Sequence, residues 1–486
     1  MTEKKEPLEE GQRWNLLRGD CLVTLKAVPD NYFDAVVCDP PYGLSADVDI
    51  RKVIRQWFMG NSYKHDKAGF MGAEWDSFVP GPEVWKEVYR VMKPGAHLLA
   101  FTGSRTMDLM GFSIRFAGFE MRETLMAWLY SQGFPKSLDA SKAVDEALGA
   151  ERVVSGSIER PAFKTGASGY TDNLAWSGER RDIPATPEAQ QWQGWGSALK
   201  PAFEPVLLAR KPLVGTTAEA LLSGGTGALN IDGCRVGTEE RFNNPTHQGV
   251  GAGTFATGRW PPNVLMTHHP ECVEDGVCHQ ECMAEQLKAQ TGSDVTRFFP
   301  QFYYSPKASR AERETGAPED AERVTGAEAV KRKKGSKGME SPRAGAGRTA
   351  EDVWNNHPTV KPVDVMRWLV RLVAPPGSIV LDPFNGSGTT GVAALHEGAR
   401  YVGCEREERF VEISTGRLIH AEKESTGLPP VKLAPKERER TEVVPLPDSE
   451  ALRKAFDLTD EIKVERKPGG LASKDFKRLV AKSLKR

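Results

Sequence analysis

Residues 378–405 read SIVLDPFNGSGTTGVAALHEGARYVGCE, and the fold is decided there. The apolar run after Ser378 has the length and branched content of a buried strand. A glycine-rich loop follows, GSGTTGVAALHEG opens a helix, and ARYVGCE is a second strand. Gly386, Gly388 and Gly391 satisfy G-x-G-x-x-G, and Glu405 stands nineteen residues after Gly386 at the end of the next strand. Strand, glycine loop, helix and strand in this order are one unit of a parallel α/β sheet.

The same alternation extends to both sides. Before this unit, VKPVDVMRWLVRLVAPPG is a helix stopped by Pro375-Pro376. Near the amino terminus, Phe33–Cys38 is a strand, Pro82–Met92 an amphipathic helix and Ala96–Gly103 a strand after the Pro94-Gly95 turn. Arg105–Phe116 is a helix, and MRETLMAWLY a third strand. The spacing predicts residues 1–150 as one half of an α/β domain and 351–425 as the other. Between them, 151–350 is rich in Gly, Ser, Thr, Asn and Trp, as binding loops are. It reads as a large loop-rich insertion with one sheet strand near 203–213, and 426–486 reads as a charged tail.

By its fingerprint the glycine loop suits a dinucleotide, with Glu405 on ribose hydroxyls. Asp382-Pro383-Phe384-Asn385, set between strand and first glycine, argues otherwise, because a carboxylate there repels a pyrophosphate. The same carboxylate suits a ligand with a cationic amino-acid end. S-adenosylmethionine is such a ligand, with an ammonium, a sulfonium and a ribose diol.

Asp39-Pro40-Pro41-Tyr42 follows the Phe33–Cys38 strand at a sheet edge, where ligands of parallel sheets bind. The exocyclic amine of a nucleobase is a poor nucleophile, because its lone pair is delocalised into the ring. Acceptance of its hydrogen bonds by Asp39 and the Pro40 carbonyl favours the pyramidal form. Two prolines make the loop stiff and remove N–H donors, and Tyr42 offers a face for base stacking. On its own, such a tetrapeptide is also an ordinary proline-rich turn.

Together these segments resemble the amino-group DNA methyltransferases of the beta arrangement. In that family the catalytic tetrapeptide comes first, a target-recognition region follows, and a D-P-F-x-G-S-G-T cofactor motif comes last. This sequence has Asp39–Tyr42 and then Asp382, Pro383, Phe384, Asn385, Gly386, Ser387, Gly388 and Thr389 in that order. Gly19-Asp20 lies where the family's Asp contacts the cofactor adenine, and Asn356–Pro362 matches the segment leading into the helix over the cofactor. The resemblance covers roughly 15–150 and 350–420. It implies a circularly permuted Rossmann-like sheet, S-adenosylmethionine bound by Asp20, Lys361, Asp382, Pro383, Phe384, Gly386, Ser387, Gly388, Thr389 and Glu405, and double-stranded DNA as substrate. Asp at the head of the tetrapeptide resembles the adenine-N6 enzymes, whereas cytosine-N4 relatives more often begin with Ser. The target base would flip out of the duplex, and methyl transfer would be direct. A cytosine-N4 methyltransferase, an RNA methyltransferase and a DNA-binding relict without activity are the rivals.

His268, His269, Cys272, Cys278, His279 and Cys282 lie within fifteen residues. Such a set can build a structural zinc site, here assigned to Cys272, Cys278, Cys282 and one of His268/His269, with His269 the one chosen. The alternative is free thiols. Trp192, Trp195, Phe203, Trp260, Phe298, Phe299, Tyr303 and Tyr304 stand among basic residues, and at least half are expected to form a local core, the others to meet DNA.

Across 486 residues the net charge is −1, yet Lys331–Arg348 carries seven basic residues and one acidic, and Lys463–Arg486 nine and two. Such segments serve as nucleic-acid arms or as solvated surface. A nuclease-like Pro447-Asp448 with Glu461-Ile462-Lys463 reads as chance in so short and polar a tail. No apolar run spans a bilayer, and MTEKKEPLEEGQ is no signal peptide. Seven cysteines, an odd number, argue against a disulfide framework and for the cytoplasm. A homodimer and a separate restriction endonuclease are the further partners left open.

Overall fold

The computed structural model describes residues 4–43, 48–61, 63, 65, 77–130, 137–160, 176–180, 183–243, 254–269, 272, 278–303, 310–324 and 352–425. Residues 1–439 form one compact unit and 440–486 another, and the second lies outside the described residues, with both basic segments.

The strands are β1 (Trp14–Arg18), β2 (Phe33–Cys38), β3 (Met92–Phe101), β4 (Glu120–Leu129), β5 (Gly156–Arg160), β6 (Trp176–Arg180), β7 (Phe203–Arg210), β8 (Val236–Asn243), β9 (Thr254–Arg259), β10 (Val264–Thr267), β11 (Gln301–Phe302), β12 (Ile379–Asp382) and β13 (Arg400–Glu405). Nine form the central sheet, in the order β1-β13-β12-β2-β3-β7-β4-β10-β11. Its neighbours pair in parallel except at β7, which runs antiparallel to both β3 and β4. The fold is mixed α/β with a mostly parallel sheet, as the strand and helix alternation requires. β5–β6 and β8–β9 are separate antiparallel ribbons.

Both faces of the sheet centre are buried. Val36, Cys38, Leu98 and Ala100 enter one core, with Trp85, Val88 and Ile114 from the helices Pro82–Val91 and Met107–Phe116. Ala35, Val37, Leu99 and Phe101 enter the opposite core, with Leu369, Ala393 and Leu418 from the helices Val363–Val373, Thr389–His396 and Glu408–Ser425. Alternate residues thus feed alternate layers, which is why these strands read as continuous apolar runs. No described helix is long and apolar enough to cross a membrane.

Three features differ from the sequence reading. The interval 151–350 supplies three strands to the sheet, β7, β10 and β11, where one was expected. β3 starts at Met92, so Pro94-Gly95 lies within it as an irregularity rather than ahead of it. Gly95 takes φ +79°, and its N–H bonds the Lys211 carbonyl at 3.0 Å, which lets the strand continue. β1 and the helix Glu408–Ser425 are further elements not anticipated.

Gly391, the last glycine of the fingerprint, makes the close packing of its helix possible. A Cβ there would stand 2.5 Å from Leu418 and 2.6 Å from Tyr401, both fully buried. Gly391→Ala gains about 1 kcal/mol of helix propensity and loses about 1–3 kcal/mol to overpacking. We expect net destabilisation, read as a lower urea midpoint with unchanged m-value.

Candidate functional site

Helical connections leave β12 and β2 in opposite directions. β12 leads through Thr389–His396 to β13 on one side, and β2 leads through Pro82–Val91 to β3 on the other. Parallel sheets bind ligands at such a divide, outside the strand ends. A cavity of ≈450 Å³ opens there. Asp20, Asp39, Pro40, Pro41, Tyr42, Lys361, Asp382, Pro383, Phe384, Gly386, Ser387, Thr389 and Glu405 all line it. Thus the two loops read as catalytic and cofactor-binding, 343 residues apart from Asp39 to Asp382, face one space.

On the β2 side, Asp39 anchors a polar network. Its Oδ2 accepts from Lys361 Nζ at 2.6 Å, and its Oδ1 lies 2.8 Å from the Tyr42 hydroxyl. Glu204 Oε2, at the start of β7, is 3.1 Å from the same hydroxyl and 3.5 Å from Lys361. Burial works against the Lys361 ammonium, but Asp39 and Glu204 outweigh it and hold its pKa above the usual lysine value. Burial, Asp39 and Glu204 all push the Tyr42 phenol far up, so it stays a neutral donor. Thr106 Oγ1 donates to the Tyr42 carbonyl at 2.6 Å and fixes the loop. Lys361 therefore sits on Asp39, a contact the sequence reading did not anticipate. Glu204 was missed altogether, although one acidic residue heading the apolar run FEPVLLAR was a usable signal.

On the β12 side, the carboxylates organise the backbone. Asp382 Oδ1 accepts from Phe384 N at 2.9 Å and Oδ2 from Thr390 Oγ1 at 2.6 Å. Burial raises its pKa to about 7, against the lowering effect of those two bonds. Glu405 Oε2 accepts from Gly386 N at 2.7 Å, and Oε1 from Arg406 N and Glu407 N at 2.9 Å each. Asp20 caps the short helix Cys21–Thr24, accepting from Leu22 N. Gly386 takes φ +52°, and a Cβ on it would meet His357 Nε2 at 2.8 Å. Gly388 takes φ +78° and backs onto Ser414, outside the cavity lining. Arg417, fully buried, donates to the Ser387 carbonyl at 2.7 Å and to Thr389 Oγ1 at 3.0 Å, pinning the loop. Burial lowers the His357 pKa to about 3, with Arg313, Lys361 and Arg417 adding to it, so this imidazole is neutral.

The cysteine and histidine residues lie elsewhere, beyond β10. There the thiols of Cys272, Cys278 and Cys282 converge with His268, not with His269 as read from the sequence. His269 stacks on His279 and groups with Glu281. Adjacent side chains on an extended backbone point to opposite sides, so only one histidine of the pair can reach the thiols. Of the aromatic residues, Trp192, Trp195, Phe203, Trp260 and Phe298 are exposed, while Phe299 and Tyr303 pack beside the cysteine cluster. Tyr304 lies outside the described residues.

Residues 276–416 match the family model described as DNA methylase. That segment holds the Asn356–Pro362 and Asp382–Glu405 parts of the site, and Asp39–Tyr42 lies before it. The chain is 39% identical over 67 residues to the DNA adenine methyltransferase YhdJ of Escherichia coli (strain K12), which covers 14% of this chain and 23% of that protein. It spans less than a third of the length of the curated relatives it matches. Among solved structures, the M1.HpyAVI–SAM complex aligns with 83% of this chain and 98% of its own, at 13% identity and a TM-score of 0.33. The PvuII DNA methyltransferase (cytosine-N4-specific) aligns with 86% and 91%, at 13% identity and a TM-score of 0.37. By the family model and the partial relative, the chain is similar to the N6 and N4 amino-group DNA methylases, as its motifs imply.

Asp382 gives a pH test of this geometry. Its carboxyl titrates near 7 when folded and near ~4 when unfolded. Between those values the native state holds a proton that the unfolded state has lost. Stability therefore falls as pH rises through the window and levels off above it. Asp382→Asn should remove that contribution, so the variant's urea stability, relative to the parent, improves from about pH 4 to about pH 7.

Proposed function

We propose that this chain transfers a methyl group from S-adenosylmethionine to the N6 amino group of adenine in double-stranded DNA, on a circularly permuted methyltransferase sheet. One observation carries the reading: the Asp39–Tyr42 and Asp382–Thr389 loops open into a single cavity at the divide of the sheet. When bound, the cofactor supplies a methyl group on a cationic sulfur.

The chain's own residues do the rest. Asp382 and Glu405, both buried and both raised in pKa by burial, favour a ligand that brings positive charge. Phe384 and Phe410 give the same cavity apolar walls. Asp39 and the Pro40 carbonyl accept hydrogen bonds from the target amine and turn its lone pair toward the methyl group. Lys361, held on Asp39 at 2.6 Å, keeps that carboxylate oriented until the amine arrives. Asp39 need not be a strong base, because the amine loses its proton only after alkylation has made it cationic. Positioning and fixed acceptors then supply most of the rate.

Two features favour adenine: Asp at the head of the tetrapeptide, and the adenine specificity in the name of the partial relative. A DNA substrate is supported by exposed aromatics beside guanidinium groups. Arg235 lies over the Trp260 ring at 5.6 Å, and Arg259 and Arg297 lie over Phe298 at 5.1 and 5.2 Å. Rings and cations in that arrangement suit bases and phosphates.

The test uses the purified chain, duplex DNA and a methyl-labelled cofactor, followed by nucleoside analysis. We expect label in N6-methyladenine. Label in N4-methylcytosine would reassign the base, and label in RNA alone would remove the DNA substrate. Asp39→Ala should lower kcat by at least ~10²–10³-fold, with cofactor affinity nearly unchanged. Full activity in that variant would overturn the catalytic assignment. Asp382→Asn should instead weaken cofactor binding by roughly 10–100-fold, the loss of one charge-assisted hydrogen bond, as titration calorimetry would show.

A further inference from the structure

Beyond β10 the chain builds a second site that the methyl-transfer reading does not use. His268 follows the last residue of β10 directly, and Cys282 is the N-cap of the helix Met283–Thr291. The ligand-type atoms of His268, Cys272, Cys278 and Cys282 all lie within 4.8 Å of one another. His268 Nδ1 is 3.4 Å from both the Cys278 and the Cys282 sulfur. A tetrahedral zinc with bonds of about 2.3 Å to sulfur and about 2.0 Å to nitrogen has ligand–ligand edges of roughly 3.5–3.8 Å. The cluster is already close to that size.

We propose that His268, Cys272, Cys278 and Cys282 bind one zinc ion as a closed structural site. Three details of the surroundings support it. First, His268 Nε2 is 2.6 Å from Gln301 Oε1, and an amide oxygen only accepts, so Nε2 carries the proton. That leaves the Nδ1 lone pair aimed at the thiols, as an imidazole ligand requires. Second, the His268 ring is stacked on Tyr303 at 4.2 Å and 12°, which fixes its orientation. Third, backbone turns present the sulfurs: Cys272 N bonds the His269 carbonyl at 2.9 Å, Cys282 N bonds the His279 carbonyl at 2.8 Å, and His279 N donates to Cys272 Sγ at 3.2 Å.

Disulfide formation cannot account for three thiols and an imidazole meeting at one point, since it uses two sulfurs and no nitrogen. Among the described residues the apolar cluster there is small, with Met266 and Ala284 buried beside Cys272 and Cys282. A crosslink of the β10 end to the following helix supplies what that core lacks. In the bound site the ligands are three thiolates and a neutral imidazole, and any protons displaced go to solvent. Four protein ligands leave no open position, so the ion is not a catalyst.

The experiment uses the full chain, prepared from zinc-supplemented medium, with metal measured by mass spectrometry. One zinc per chain is expected, retained in His269→Ala and lost in His268→Ala and Cys278→Ser. Gln301→Ala should weaken zinc binding by roughly 10–100-fold, because Gln301 sets the His268 tautomer. Where Cys278→Ser fails to fold, cobalt substitution of the unaltered chain decides. Thiolate-to-cobalt charge transfer with tetrahedral d–d absorption supports the site. Absence of stoichiometric zinc, an octahedral cobalt spectrum, or zinc lost in His269→Ala but kept in His268→Ala would overturn it. None of these readouts depends on methyl transfer.

Discussion

Parallel pairing of β2 with β12 is the contact on which the candidate site depends. It joins residues 33–38 to residues 379–382, with Ala35 opposite Val380 and Val36 opposite Leu381. The Asp34 carboxylate reinforces the pairing, accepting from Ile379 N at 2.7 Å and pairing with Lys93 across β3. Side chains alternate with a period of two, so a slip by one residue would turn every inward side chain outward. Ala35, Val37, Val36 and Cys38 are all fully buried, on two different cores, which makes such a slip costly on both faces. The register therefore fixes where Asp382, the last residue of β12, and Asp39, the first residue after β2, stand at the ends of neighbouring strands.

Charge and donor accounting together determine what the cavity can hold. Among the described residues six carboxylates line it, from Asp20, Asp39, Glu204, Asp382, Glu405 and Glu407, against the two cations Lys361 and Arg406. In a dinucleotide site the first glycine turn offers its N–H groups to phosphate. Here Gly386 N, Arg406 N and Glu407 N are all taken by Glu405. Phosphate would meet acceptors and like charge, whereas a cationic ligand meets partners. The fingerprint glycines serve geometry instead: Gly386 clears His357, Gly388 clears Ser414, and Gly391 clears Leu418 and Tyr401.

Much of this was readable in the sequence wherever a short motif carries its own physics. Ile379–Glu405 emerged as strand, glycine loop, helix and strand, because its apolar run, glycines and second apolar run each admit one arrangement. Asp39 and Asp382 could be named because each stands at the end of a buried apolar run, Asp39 just after β2 and Asp382 as the last residue of β12. What escaped was decided by tertiary contact. β1 is WNLLR, five residues of intermediate or greater exposure, too short and mixed to show a period. Glu204 approaches Tyr42 only because β7 inserts antiparallel between β3 and β4, a topology no local pattern encodes. His268 and His269 are chemically identical neighbours, and only the direction of the backbone leaving β10 separates them. Arg417 looks like one more surface arginine of a helix until the fold buries it under Ser387 and Thr389.

The order of strands along the chain also sets the order in which the protein can be built. β1 pairs with β13, Trp14 opposite Tyr401, and β2 with β12, so the amino-terminal strands find those partners only after more than three hundred further residues. During synthesis, β2 and β3 can join early, but the left half of the sheet waits for the last described strands to leave the ribosome. Until then one edge of β2, buried along its whole length in the finished fold, stays open. Sequence-distant pairings of this kind slow folding, and exposed apolar edges invite association with other chains. The chain thus gains a binding cleft closed from both of its ends, at the cost of a long nascent interval in which a central, fully buried strand has no neighbour on one side.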